Sequence, residues 1–462
     1  MTKSEPDRSI LSLSLSELCA RLQAREFSCE HLCRFYLGRI RKYGSGNALN
    51  CVSEVNPQAL EEARVLDLRG PDGLSLYGLC VLIKDNIDVA GMATTAGSVL
   101  LKENIADTDS PFVQTLRKNG AVVLGKTNMT EFANFLTQGM PGGFSSLGHQ
   151  VLNAYDSTHT PSGSSSGSAV AMSARLCSFA VGTDTSFSVV GCASENGVVG
   201  FKPSIGTIST EGVIPITAAF DEIGFFTRDM KDMRFLADRL MFQSASEMNG
   251  SQGDPELRKV LSVWTVNREH VSQNQLRRYE TLFDHLKADG WTFIEQPGRN
   301  TTRLKELMLR RFSSELREYL KTHRGSAAGK LTPESILEKY REAPETLAPY
   351  GTGYLEESLS YERDPDNTRA VSEIRSDMLQ ERARLTEELS FSDACVMTGP
   401  TCIMHYAGLP SLSLPFTMDP ENGIPRSILL FGWDMKTLLS AGAEIERHGD
   451  EIPLPKLEKK QI

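Results

Sequence analysis

A chain of 462 residues with 40% hydrophobic content is long enough to bury a large core. Its formal net charge of −10 and its scattered 49 basic residues exclude a nucleic-acid or anionic-membrane surface as the working face. The polar N-terminus MTKSEPDRSI carries no apolar leader core, and no window approaches the roughly 18 apolar residues needed to cross a bilayer. The expectation is a soluble cytoplasmic protein.

Nine cysteines are spread without a framework, which fits a reducing compartment. Cys29, His31 and Cys33 form the one suggestive group. On a helix, Cys29 and Cys33 share a face that His31 leaves, and a second ligand pair is absent. Buried thiols are therefore expected, with no metal and no cofactor.

Ser14 and Glu17 have capping-box spacing, and LCARLQARE follows at helical period. Ser28 is placed to cap the next helix, on which Leu32, Phe35, Tyr36 and Ile40 form an apolar stripe. Residues 79–90, LCVLIKDNIDVA, read as a strand ended by Gly91, with Lys84 inside it. Read from that segment alone, Lys84 is an edge residue whose ammonium reaches water. The competing reading is a buried lysine made basic by desolvation. Residues 111–128 alternate helix and strand, with Gly120 as the stop and Ala121–Leu124 as a short buried strand. That βαβ rhythm predicts a partly parallel sheet. Residues 128–160 are loop-rich.

A Gly/Ser loop, Ser162 to Ser168, then runs into a small-residue helix, the strand SFAVG and a polar turn, Thr183 to Ser188. After Lys202 short strands and turns alternate to about residue 228, and residues 229–250 read as helical. Residues 257–290 read as a strand followed by a charged helix, and 301–345 and 366–390 as a mostly helical layer. Strands are expected at 394–398, 411–418 and 427–431, and a last helix at 437–447.

The Gly/Ser loop admits four readings. A flexible linker does not run directly into structure on both sides. A phosphate loop needs a lysine after its second glycine, and none follows Gly167. Gly163-Ser-Ser165-Ser-Gly167 fits a nucleophile elbow, but the preceding VLNAYDSTHTP is polar where an elbow needs a buried strand. The fourth reading is a resemblance. KDNIDVAGMATTAGS at 84–98, SPFVQTLRKNGAVVLGKTNMTEFANF at 110–135, SGSSSGSAVAMSA at 162–174, GTDTSFS at 182–188, NGVVGFKPSIGTIS at 196–209 and AGLPSLSLPF at 407–416 together resemble the amidase signature family. FANF and ASENGVVG place the resemblance nearest the peptide-amidase branch, with weaker support from SSELREYL at 313–320 and YGTGYLEESL at 350–359.

The resemblance implies an α/β fold: one large domain with a twisted mixed β-sheet core flanked by helices on both faces. Within it, residues 1–75 are expected to wrap the core, 76–230 to form the catalytic core, 231–392 a mainly helical substrate-side layer, and 393–462 the closing strands and helix. It also implies a Ser–Ser–Lys triad: Lys84 as base, Ser164 as bridge after a cis peptide, and Ser188 as nucleophile. Backbone N–H groups of Thr185, Ser186, Phe187 and Ser188 are expected to form the oxyanion hole, with Asp184 and Thr185 bracing the turn. Met129, Thr130, Ser165 and Phe187 are the expected substrate contacts. Two departures from the family pattern stand out. Ser186-Phe187 replaces small residues before the nucleophile, where phenylalanine is strained if φ is positive. The connection from Thr401 to Gly408, with TCIMHY, is short. The expected activity is hydrolysis of a small-molecule amide, by a monomer or homodimer. An amidase subunit of a tRNA-dependent amidotransferase, and a non-catalytic or acyl-transferring relative, are the alternatives.

Overall fold

The computed structural model describes residues 10–46, 48–242, 255–265, 273–300, 303–323, 325–326, 329–399 and 401–457. Among these residues, eleven strands form one mixed sheet. They are β1 (Val52–Val55), β2 (Cys80–Lys84), β3 (Val122–Thr127), β4 (Phe179–Asp184), β5 (Val199–Lys202), β6 (Glu222–Thr227), β7 (Val260–Thr265), β8 (Thr292–Pro297), β9 (Ala394–Met397), β10 (Ser411–Met418) and β11 (Pro425–Phe431). Their order is β1-β3-β2-β4-β6-β5-β10-β11-β9-β7-β8. The expected parallel portion is present: β2 lies between β3 and β4 and runs parallel to both. Three neighbouring strands therefore end on the same edge, where helix-linked α/β sheets place their sites.

Local sequence explains the elements that the chain's pattern predicts. Ser14 makes the capping box with Glu17, and Ser28 caps the helix Cys29–Arg39 by accepting the His31 N–H. Cys29 and Cys33 are buried thiols in the main apolar core, as expected. The strand expected over 79–90 is shorter than its apolar run. It stops at Lys84, whose carbonyl accepts the Ile87 N–H in a turn. β3 is longer than expected and reaches Thr127, because β1 and β2 pair with it on either side. Gly125 makes that fit possible, since a Cβ there would lie 2.1 Å from the Glu54 carbonyl. The helix expected over 229–250 is seen as Met230–Leu240; residues 243–250 lie outside the described residues.

The helices between Arg303 and Leu389 share a second apolar core with residues of the 96–140 and 214–220 segments. Phe312 sets its ring edge-on to Phe135 at 5.3 Å. Two buried polar latches tie this layer to the sheet side. Asp88 receives the Tyr319 hydroxyl at 2.9 Å and faces His323 Nδ1 at 3.0 Å. Tyr340 donates to the buried Glu131 and lies 2.5 Å from Ser98 Oγ. Tyr340→Phe removes a donor from a buried carboxyl that keeps Ser146 as its other partner. The expected cost is about 1–3 kcal/mol, read as a lowered urea midpoint at unchanged m-value.

Candidate active site

Lys84 is the last residue of β2 and Asp184 the last of β4, so both point their chemistry at the same sheet edge. The edge-lysine reading fails because β2 is interior to the sheet. Lys84 is fully buried, and its Nζ lies 2.7 Å from Ser164 Oγ, 2.8 Å from Thr183 Oγ1 and 3.3 Å from the Thr183 carbonyl. Burial pushes its pKa down to about 7, against the opposing pull of Cys192, Asp184 and Asp221. Ser164 Oγ in turn lies 3.1 Å from Ser188 Oγ. A continuous line thus runs Nζ–Oγ–Oγ from a lysine whose pKa burial lowers to about 7 to a serine that is 6% exposed.

The Gly/Ser loop owes its shape to close packing. The Gly163–Ser164 peptide is cis. Thr130 N donates to the Ser164 carbonyl at 3.1 Å, and a Cβ on Gly163 would fall 2.3 Å from Thr130 Oγ1. A Cβ on Gly167 would meet the Asn128 carbonyl at 2.3 Å. Ser168 bonds to the Val181 carbonyl at 2.9 Å and to Thr127 Oγ1 at 2.7 Å, anchoring the helix Ser166–Ser173 on β3 and β4.

Asp184 and Thr185 do brace the turn. Asp184 Oδ2 accepts the Val189 N–H at 2.7 Å and the Val190 N–H at 3.3 Å. Burial pushes the Asp184 pKa up; a hydrogen on His405 Nε2, where that nitrogen carries one, Lys202 and the Val189 N–H pull it the other way. Thr185 Oγ1 donates to Asp221 Oδ1 at 2.6 Å. Asn86 steadies the lysine's other partner by donating to Thr183 Oγ1 at 3.1 Å.

Three expected substrate contacts face the protein instead. Met129 is fully buried in the core of the helical layer. Thr130 commits its hydroxyl to the Gly143 N–H at 2.8 Å. Ser165 commits its own to the Thr183 carbonyl at 3.0 Å and the Thr183 N–H at 3.3 Å. Thr130 and Ser165 shape the loop that carries Ser164, one packed against Gly163 and the other tied to β4. Phe187 is half-buried, with φ at +70°, the left-handed region in which its Cβ is strained. Its N–H, expected in the oxyanion hole, donates to His405 Nε2 at 3.1 Å. His405 was not singled out from the sequence, although it lies in the short TCIMHY segment that departs from the family pattern. Thr183, Asn86, Asp221 and Cys192 also went unassigned, or were read only as parts of a turn.

A family model described as Amidase matches residues 31–348, more than half of the chain. The chain belongs to the amidase family. Solved amidases share its whole architecture. An amidase family protein from Bacillus anthracis superposes with a TM-score of 0.86 at 27% identity, covering 97% of this chain and 93% of that one. The native peptide amidase from Stenotrophomonas maltophilia gives a TM-score of 0.84 at 29% identity, over 96% of this chain and 99% of that one. The expected likeness to the peptide-amidase branch therefore extends over the full fold. Among curated amidase relatives, a probable amidase of Arabidopsis thaliana is 37% identical over 239 residues, which is 50% of this chain and 46% of that protein. A glutamyl-tRNA(Gln) amidotransferase subunit of Nitratidesulfovibrio vulgaris is 28% identical, over 94% of this chain and 96% of that one. Among the described residues of this chain, no helix is long and apolar enough to cross a membrane.

Proposed function

We propose that the chain hydrolyses a small carboxamide through an acyl-enzyme, with Ser188 as nucleophile, Ser164 as proton bridge and Lys84 as base. The observation that carries this is the unbroken Nζ–Oγ–Oγ line, at 2.7 and 3.1 Å, leading from a fully buried lysine. A serine hydroxyl attacks poorly until a base takes its proton. Neutral Lys84 takes that proton through Ser164, because a hydroxyl donates and accepts at once. The Ser188 oxygen bonds to the amide carbon, and the same line returns the proton to the leaving nitrogen as the C–N bond breaks. Water then cleaves the ester by the same route. With the Phe187 N–H held by His405, the N–H groups of Thr185, Ser186 and Ser188 are the remaining donors for the oxyanion.

The likeness to peptide amidases, one of them solved with the competitive inhibitor chymostatin, supports peptide amides as the first substrates to try. A panel of peptide, aryl and alkyl carboxamides is expected to release ammonia from at least one member. Turnover on kcat/KM is expected to fall about tenfold per pH unit below about 7, because Lys84 is then protonated. Inertness toward every amide, ester and anilide, or full activity well below pH 5, overturns the reading. The full-length likeness to an amidotransferase component supports a second reading, in which the same site supplies ammonia to a partner. Amide turnover by the isolated chain favours the first; turnover only with copurified partner chains favours the second.

A further inference from the structure

Two sequence segments that look unrelated meet behind the nucleophile. Phe187 stands one residue before Ser188 with φ at +70°. An L-residue there crowds its Cβ against the following carbonyl. The conformation must therefore be imposed from outside. The short helix Ile403–Tyr406 supplies the means. His405 is 1% exposed, and its Nε2 accepts the Phe187 N–H at 3.1 Å. Its ring packs on the Phe187 ring with centroids 4.7 Å apart. The same residue is thus gripped by backbone and by side chain. On the other side of the nucleophile, Asp184 holds the Val189 and Val190 N–H groups. Nε2 also lies 3.1 Å from Asp184 Oδ1. One ring nitrogen carries either a hydrogen or a lone pair, so it serves Asp184 or Phe187 but not both. The grip on Phe187 is the arrangement with Nε2 unprotonated.

We infer that His405 is a positioning residue for the nucleophile turn, holding Phe187 in its left-handed conformation so that Ser188 stays in line with Ser164. This rests on the reading of Ser188 as nucleophile. Glycine adopts φ near +70° without strain, so it removes the need for the grip. The inference therefore predicts coupling, not simply loss.

The test is the rate at which a fluorophosphonate phosphonylates Ser188, followed by intact-protein mass and needing no substrate. The proteins are the wild type, His405→Ala, Phe187→Gly and the double variant, with thermal unfolding in parallel. His405→Ala is expected to slow labelling by about 10- to 100-fold in the Phe187 background, the scale of a misplaced reacting group. It is expected to slow labelling less than about threefold over Phe187→Gly, the remainder left once coupling is removed. His405→Gln, whose amide oxygen still accepts the N–H, is expected to recover part of the rate. If His405→Ala does not fold, His405→Phe, which keeps a ring and loses the acceptor, carries the same comparison alone and over Phe187→Gly. Equal losses in both backgrounds overturn the inference, since a merely structural histidine costs the same either way. Unchanged or faster labelling of His405→Ala overturns it too, since the histidine would then be withholding the N–H. Absence of any labelling of Ser188 in the wild type removes the nucleophile assignment, and this inference with it.

Discussion

Ser188→Ala is expected to lower turnover by on the order of 10⁴-fold or more while leaving the unfolding midpoint nearly unchanged. The reason lies in what the side chain does. Its one described hydrogen bond is to Ser164 Oγ at 3.1 Å. The turn around it is held by other atoms: Asp184 on the Val189 N–H, His405 on the Phe187 N–H, and the Ser165 N–H on the Ser188 carbonyl at 3.3 Å. Removing the hydroxyl leaves that frame intact and deletes only the oxygen that would bond to the substrate carbon. Ser164→Ala breaks the line at its middle, because Lys84 Nζ bonds to Ser164 and to Thr183 rather than to Ser188 directly. A similar loss is expected there, since residues acting as a unit do not lose activity additively. Ammonia release and urea unfolding on the same preparations check both. Retained turnover in Ser188→Ala would sink the assigned nucleophile.

The legible and illegible parts of this site differ in a physical way. The serine-rich loop, the polar turn and the strand before it are continuous in sequence, and they fold as their pattern suggests. Lys84 is different. Its own segment reads as a sheet edge, and its burial is decided by β3 and β4 pairing on either side of β2. Parallel neighbours are chosen by tertiary packing, so the local run carries no record of them. Only the surrounding motif, by resemblance, pointed to Lys84 as the proposed base. Phe187 was visible as an oddity, and so was the short 401–408 connection. Their meeting was not visible, because 218 residues separate Phe187 from His405. Thr130 and Ser165 show the reverse case. Polar residues next to a reacting loop suggest substrate contact, yet both spend their hydroxyls on backbone atoms behind it. The edge strands β1 and β8 went unread for a simpler reason. β8 ends on Pro297 and alternates weakly, and β1 has four residues, too few to show a period.

Lys84→Met is expected to abolish turnover and, at pH 6, to stabilise the fold. An ordinary lysine titrates near 10.5, and burial lowers this one to about 7. At 1.36 kcal/mol per tenfold change in proton affinity, the folded state carries a penalty on the order of 5 kcal/mol for a charged Lys84. The pH window follows from linkage. Below about 7 the lysine is protonated in both states, and the penalty is complete. Between about 7 and 10.5 the unfolded chain holds a proton that the folded chain does not, so the penalty shrinks as pH rises. Above that range it is gone. Methionine has a similar reach and no charge, so it escapes the penalty, but it abandons two hydroxyls. Those are not orphaned: Thr183 Oγ1 keeps Asn86, and Ser164 Oγ keeps Ser188. Allowing about 1–3 kcal/mol for the lost bonds, a net gain of about 2 kcal/mol is expected at pH 6, narrowing toward zero or reversing by pH 9. Urea unfolding of both proteins at the two pH values measures the difference, in which the titrations of all other groups largely cancel. A variant less stable than the wild type at pH 6 would show that Lys84 is held charged by its surroundings at no cost. A base of that kind is unable to take a proton from Ser164 at neutral pH. On the proposed mechanism, the stability given up around this one side chain is what keeps its lone pair available to the serine line.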